Sequence, residues 1–294
     1  MAWAKLWATC MDAGITLVIP AYNEETRLPA TLERLIPTLS AQHCPFEIIV
    51  VSDGIGDRTS EVALRYSASR VRLLRFDTKQ GKGGAVKAGF LMARYSLVGF
   101  LDADTPLAAR DLDAMLGFLR DYDVVIASRW TAAGKPHFHS ARLRNLLSLI
   151  WSSLVRACLV TNVRDTQCGA KFFRASRLAP LLSKVDIRGW AFDISLLGHC
   201  ERSGLSINEV EVSWPDNAGS QMRLLRDVPV MLATLVLFRL ENSPFSRLVT
   251  HPSRLLLRAR LGALAAAVEK GTTPPSECGP QPAVGVAQLR GIEP

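Results

Sequence analysis

A chain of 294 residues with 48% apolar side chains can bury a substantial core, in one large domain or two small ones. Its formal net charge of +8 calls for an anionic partner. The absence of a recognisable nucleic-acid module, with little aromatic interleaving among the basic residues, argues against nucleic acid and leaves anionic lipid headgroups or a lipid phosphate.

Residues 1–13 contain Trp3 and Trp7 but also Lys5 and Asp12, with no adequate apolar region or cleavage site of a signal peptide, and read as an N-terminal extension. From residue 14 the elements follow one another. Ile15-Thr16-Leu17-Val18-Ile19 is a buried-strand run ended by Pro20-Ala21-Tyr22-Asn23-Glu24, and 28–39 has helical apolar spacing. Glu47-Ile48-Ile49-Val50-Val51 is the next strand, ended by Ser52-Asp53-Gly54, with a helix from about Thr59. Residues 71–76 form a third strand, followed by Gln80-Gly81-Lys82-Gly83-Gly84 at a helix start; 97–101 and 123–127 supply two more. Strands alternating with helices in this way predict an α/β fold with a Rossmann-like, mostly parallel central sheet flanked by helices. Ligands then bind beyond the carboxyl ends of the strands. Each polar loop named here falls at such an end.

The strand at 97–101 empties into Asp102-Ala103-Asp104. At an extended strand end, residues i and i+2 project to one side, so Asp102 and Asp104 are expected to converge on one hard cation, Mg²⁺ or Mn²⁺. A nucleotide-sugar diphosphate can share that cation. Lys82 is placed to meet phosphate, and its glycine neighbours let backbone amides approach the ligand. It is not a Walker P-loop lysine, because GxxxxGK[ST] is absent.

Further along, 142–160 is an apolar helix carrying a narrow polar stripe of Arg142, Asn145, Ser148, Ser152 and Arg156. Such a helix is either half-buried in a core or lying in a membrane interface. From Arg223 to Arg260 there are seven Arg, no Lys and two acids. No segment reaches the roughly 18 to 20 uninterrupted apolar residues of a membrane span. Six cysteines show no CxxC pair and no disulfide-framework spacing, so Cys168 reads as a small buried hydrophobe and the compartment as reducing. His137 and His139 have no third ligand nearby and read as loop residues. Residues 241–270 are expected to form a basic helical segment, and 271–294, rich in Pro and Gly, a disordered tail.

The order PAYNE, SDG, GKGGAVKAG, DAD and ASR resembles a family-2 glycosyltransferase of the GT-A fold, over residues 14–240. Within that family, Asp165-Thr166-Gln167-Cys168-Gly169-Ala170-Lys171-Phe172-Phe173 and Gly189-Trp190-Ala191-Phe192-Asp193 are most similar to the dolichyl-phosphate β-glucosyltransferases. The resemblance implies inverting transfer of glucose from UDP-glucose to a polyprenyl or dolichyl phosphate. GDP-mannose as donor, a soluble acceptor, and a catalytically silent nucleotide-binding scaffold are the alternatives. It assigns Pro20, Tyr22 and Glu24 to the nucleotide, Asp53 to the base, and Asp102 and Asp104 to ribose and metal. Arg129 falls to the reacting phosphates, Arg144 and Ser148 to the acceptor phosphate, and Asp165, Trp190 and Asp193 to sugar or acceptor contacts, with amphipathic helices near the acceptor.

Members often carry an N-terminal membrane anchor; residues 1–13 are not expected to form one, and contact is expected to be peripheral, on the cytoplasmic face of a membrane. Gln221 stands where glucosyl relatives tend to have Lys, and the QxxRW signature of processive synthases is missing. No general base is needed for such an acceptor. A phosphate monoester has its second pKa near ~6 and arrives mostly dianionic at neutral pH.

Overall fold

The computed structural model describes residues 14–42, 44–105, 107–130, 142–159, 161–185, 189, 191–212, 231–233, 235–236 and 238–239, the side chains of 142–148 excepted. Four βα units come first: β1 (Ile15–Ala21) and α1 (Leu28–Ala41), β2 (Phe46–Asp53) and α2 (Thr59–Arg65), β3 (Val71–Phe76) and α3 (Gly81–Leu91), β4 (Leu97–Leu101) and α4 (Ala109–Phe118). Then follow β5 (Val124–Ser128), α5 (Arg142–Leu159), β6 (Ala170–Arg174), α6 (Ala175–Leu182), α7 (Phe192–Arg202) and β7 (Ile207–Glu211).

The strands form one seven-stranded sheet in the order β3-β2-β1-β4-β6-β5-β7. β1 pairs in parallel with both β2 and β4, β2 with β3, and β5 with β7. β6 runs antiparallel between β4 and β5. The mostly parallel sheet is as expected. The reversed β6, together with β7, was not legible as strand in the amino-acid pattern.

Alternation along each strand supplies two faces. Leu17, Ile19, Ile48 and Val50 pack with α1, α2 and α4 on one side, through Leu32, Leu35, Val62, Leu112 and Met115. Val18, Ile49 and Val51 pack with α3, α6 and α7 on the other, through Val86, Phe90, Leu178, Leu181 and Leu196. Where both faces are covered, as along β1, β2, β4 and β5, the strand is largely apolar.

Two consequences of topology fix the position of the site. β1 is followed by β2 on one side and has β4 on the other, so the crevice between the loops after β1 and β4 is a topological switch point, where ligands bind in open α/β sheets. Reversal of β6 brings its first residue, Ala170, opposite Leu101, the last of β4. The chain entering β6 therefore lies beside Asp102, whose N–H donates to the Gly169 carbonyl at 2.9 Å.

The smaller third cluster joins Val155 and Leu159 of α5 to Ala191, Ile194, Met231, Leu235 and Phe238. Ser152, expected on the polar stripe of α5, instead faces inward and donates to the Arg164 carbonyl at 2.7 Å. Leu149, Ile150 and Leu154 point to solvent, Ile150 at 56% exposure, and Leu232 and Val236 are exposed on the segment packed beside them. This helix is thus part core and part apolar surface.

Candidate active site

Three charged groups meet at the carboxyl edge of the sheet. In the first, after β1, Arg27 makes a two-pronged pair with Glu24, Nε–Oε2 and Nη2–Oε1 both 2.7 Å, and its Nη1 lies 3.4 Å from Asp104 Oδ2. Glu24 is buried, and its backbone N–H donates to Thr59 Oγ1 at 2.9 Å. Burial pushes its carboxyl up to about 7 against the pull of Arg27, with the charges of Asp104 and Asp102 adding to the rise.

The second group is a chain of two lysines and two carboxylates. Lys82 Nζ sits 3.0 Å from Asp102 Oδ1 and 3.3 Å from Asp193 Oδ2, and Lys171 Nζ sits 2.6 Å from Asp193 Oδ1. Both ammonium groups lie near the Phe100 ring, 5.3 and 5.1 Å from its centroid. Burial would raise the Asp193 carboxyl, but Lys171 and Lys82 outweigh it and hold Asp193 below the usual carboxylate range. Burial pushes Asp102 up, and Lys82 opposes it.

In the third group Asp165 takes the fork of Arg129: Nε–Oδ2 and Nη2–Oδ1 are both 2.8 Å, and the Arg129 N–H donates to Oδ2 at 2.9 Å. Asp165 is buried, yet Arg129 overrides the burial and depresses its carboxyl. The loop is fixed from below by Glu209 of β7, whose two oxygens accept the N–H groups of Asp165 and Arg164 at 2.8 and 2.9 Å. Beside it, burial and the charge of Asp165 push Cys168 up to about 12, the state of an inert thiol.

Asp53, buried at the end of β2, accepts the N–H groups of Gln80 and Gly81. Gly81 opens α3 at φ +77°, a left-handed conformation that suits glycine. Tyr22 is half-buried after β1 with Lys79 Nζ 3.8 Å from its ring centroid, and Pro20 pairs with Val51 at the strand end.

The family model for glycosyl transferase family 2 matches residues 16–180, more than half of the chain. The chain belongs to this family. Among curated relatives, a dolichyl-phosphate beta-glucosyltransferase of Drosophila melanogaster is 35% identical over 229 residues, covering 71% of this chain and 69% of its own. The enzyme of that name from Mus musculus is 32% identical over 224 residues, with 71% and 69% covered. Among solved structures, glucosyl-3-phosphoglycerate synthase of M. tuberculosis superposes with a TM-score of 0.59 at 20% identity, over 81% of this chain and 83% of that one. Mannosyl-3-phosphoglycerate synthase of Rubrobacter xylanophilus gives 0.59 at 18%, over 83% and 76%. The fold is GT-A.

In this glycosyltransferase the expected residues that the structure describes lie at this edge of the sheet, with three features of geometry that the sequence did not show. Asp102 and Asp104 lie in a turn beyond β4, not on a continuing strand: the Thr105 N–H donates back to the Asp102 carbonyl at 2.9 Å, and the two carboxylates face different cations, Lys82 and Arg27. The Arg129 fork is laid on Asp165. Asp193 is a buried counter-ion of two lysines. Trp190, the side chains of Arg144 and Ser148, His137, His139, Gln221 and the segments 1–13 and 241–294 lie outside the described residues.

Sequence reasoning missed Arg27, Lys171 and Glu209. Arg27 had a signal, three residues after Glu24, and Lys171 stood out as a charge inside an apolar run. Glu209 had none. Among the described residues no group of three or more His, Cys, Asp or Glu converges as a metal cage. One or two carboxylates at Asp104 and Asp102 nevertheless fit Mg²⁺ or Mn²⁺, which complete their octahedra with phosphate oxygens and water.

Proposed function

We propose that this glycosyltransferase moves glucose from UDP-glucose onto the phosphate of a polyprenyl or dolichyl phosphate, with inversion. The observation that carries the reading is the pairing of the site's carboxylates. Asp102, Asp104, Asp165, Asp193 and Glu24 each face a lysine or arginine. Asp165 and Asp193 are depressed by those partners and are poor proton acceptors at neutral pH. Glu24 titrates near neutrality, but both its oxygens are held by Arg27. A hydroxyl acceptor needs a base, whereas a lipid phosphate arrives already ionised. The relatives' names, dolichyl-phosphate beta-glucosyltransferase, support the same acceptor.

In this reading a phosphate oxygen attacks the anomeric carbon from the face opposite the diphosphate. The new carbon–oxygen bond forms as the bond to UDP breaks, and the electron pair leaves with UDP. Asp104 and Asp102 would hold Mg²⁺ or Mn²⁺, which neutralises charge on the departing diphosphate. Solved neighbours contain Mn²⁺ or Mg²⁺ with UDP, which supports this choice. Tyr22, Pro20 and Glu24 border the nucleotide, and Asp53, whose carboxylate also takes the Gln80 and Gly81 N–H groups, meets the base. Asp165 holds the Arg129 guanidinium in one orientation at the reacting phosphates, while Arg144, Ser148 and Trp190 serve the acceptor.

No helix among the described residues is long and apolar enough to cross a membrane. The exposed Leu149, Ile150, Leu154, Leu232 and Val236 instead support docking on the surface of an anionic membrane, its cytoplasmic face by our reading, where the lipid acceptor resides. The test is incubation of pure protein with UDP-glucose, GDP-mannose and other nucleotide sugars against polyprenyl phosphates, with mass spectrometry of the lipid. Glucosyl-phosphate lipid is expected; transfer only to water-soluble acceptors overturns the reading.

A further inference from the structure

Lys171 is the most unusual side chain of the core. It is the second residue of β6, between Phe100 of β4 and Ile126 of β5, with no solvent exposure. A lysine almost never occupies such a place unless paired. Replacing a buried ion pair by apolar side chains of like volume is often neutral or stabilising, so fold stability alone gives no reason for the charge.

Its contacts run towards the site. Lys171 Nζ donates to the Cys168 carbonyl at 2.7 Å and to Asp193 Oδ1 at 2.6 Å. The second oxygen of Asp193 meets Lys82, which in turn meets Asp102. Cys168 precedes Gly169, whose Cα lies against the Asp102 carboxylate: a Cβ there would stand 2.4 Å from Asp102 Oδ2. One ammonium group thus restrains both Asp193, which holds Lys82, and the loop that walls Asp102.

We propose that Lys171 is a positioning residue for the donor's diphosphate: by fixing Asp193 and the Cys168 carbonyl, it sets Lys82 beside Asp102 at the mouth of the crevice. The proposal rests on the reading that this crevice binds a nucleoside-diphosphate sugar through Lys82. Without Lys171, Asp193 is a buried carboxylate whose remaining cationic partner among the described residues is Lys82, and Lys82 is drawn inward, away from the ligand. The cost falls on binding of the diphosphate.

The experiment compares wild type, Lys171→Met, Asp193→Asn and the double variant in the full-length chain. UDP affinity is measured calorimetrically with Mn²⁺ present, alongside KM and kcat for UDP-glucose and the melting temperature. Lys171→Met should weaken UDP and raise KM by about tenfold or more, the size of a lost charge-assisted contact. The double variant should lose little beyond Asp193→Asn alone, because the two act through one path. A Lys171→Met protein with wild-type UDP affinity and only a lower melting temperature overturns the proposal. Should that variant not fold by itself, Lys171→Gln, which keeps a donor but no charge, decides: folded with wild-type UDP affinity, it also overturns the proposal. Failure of the underlying reading looks different, since Lys82→Met would then leave UDP affinity unchanged and wild type would not bind UDP.

Discussion

Gly169 and Asp102 are in steric register: the carboxylate occupies the space that a side chain at 169 would fill, with Oδ2 2.4 Å from the position of a Cβ. The backbone carbonyl of the same glycine accepts the Asp102 N–H. The antiparallel β6 therefore fixes Asp102 from both its main chain and its side chain.

Gly169→Ala should fold, because the atom it meets is the end of a side chain, at an overpacking cost of about 1–3 kcal/mol. Asp102 must turn away from Lys82, and transfer should fall about a hundredfold, as for a misplacement of about 1 Å. Steady-state kinetics beside a urea melt decide this; a folded variant of full activity would show that the close approach is incidental.

Arg129→Lys keeps the charge but cannot make both bonds to Asp165. We expect a stability loss of about 1.5–3 kcal/mol for the charge-assisted bond. Most activity should go while UDP binding stays near wild type. Asp165→Asn should reproduce the kinetic defect. Wild-type turnover in either variant would disconnect the pair from the reaction.

At Asp104, change to Asn removes one charge without changing volume. Its side chain is partly exposed and its contact with Arg27 is long, so the melting temperature should barely move. Transfer should nearly vanish, and wild type should stop in excess chelator and restart with Mg²⁺ or Mn²⁺. Undiminished activity in chelator would remove the metal.

The raised carboxyl of Glu24 gives stability a pH dependence of known sign. Its folded value, about 7, lies above the ordinary 4.5, so the folded chain keeps this proton longer than the unfolded one. Its contribution is complete below about pH 4.5 and is lost as pH rises through about 7. Glu24→Gln, which stays neutral, should gain on wild type across that window in urea titrations; parallel pH curves for the two proteins would contradict the sign.

On anionic liposomes, Ile150→Asn with Leu154→Asn and Leu232→Asn should lower binding and turnover of long-chain lipid phosphate. A short, water-soluble prenyl phosphate should still be used. These side chains are exposed, so the fold should persist. Equal losses on both acceptors would indicate damage to the site and not to a docking surface.

The sequence by itself determined the βα repeats, since strands covered on both faces contain apolar runs such as Ile48 to Val51, and their loops at one edge, Pro20 to Glu24, Asp53, Lys82 and Asp102 to Asp104. It did not determine what those side chains touch. That Arg129 lies on Asp165, 36 residues on, and that Lys82 meets Asp193, 111 residues on, follows from the reversal of β6 and the packing of α7, which bring distant segments together. Glu209 supports Asp165 only because β7 lies beside β5. Periodicity reports which face of an element is buried, but a buried charge is stable only with a partner. The identity of that partner is a property of tertiary contact, which local pattern does not encode.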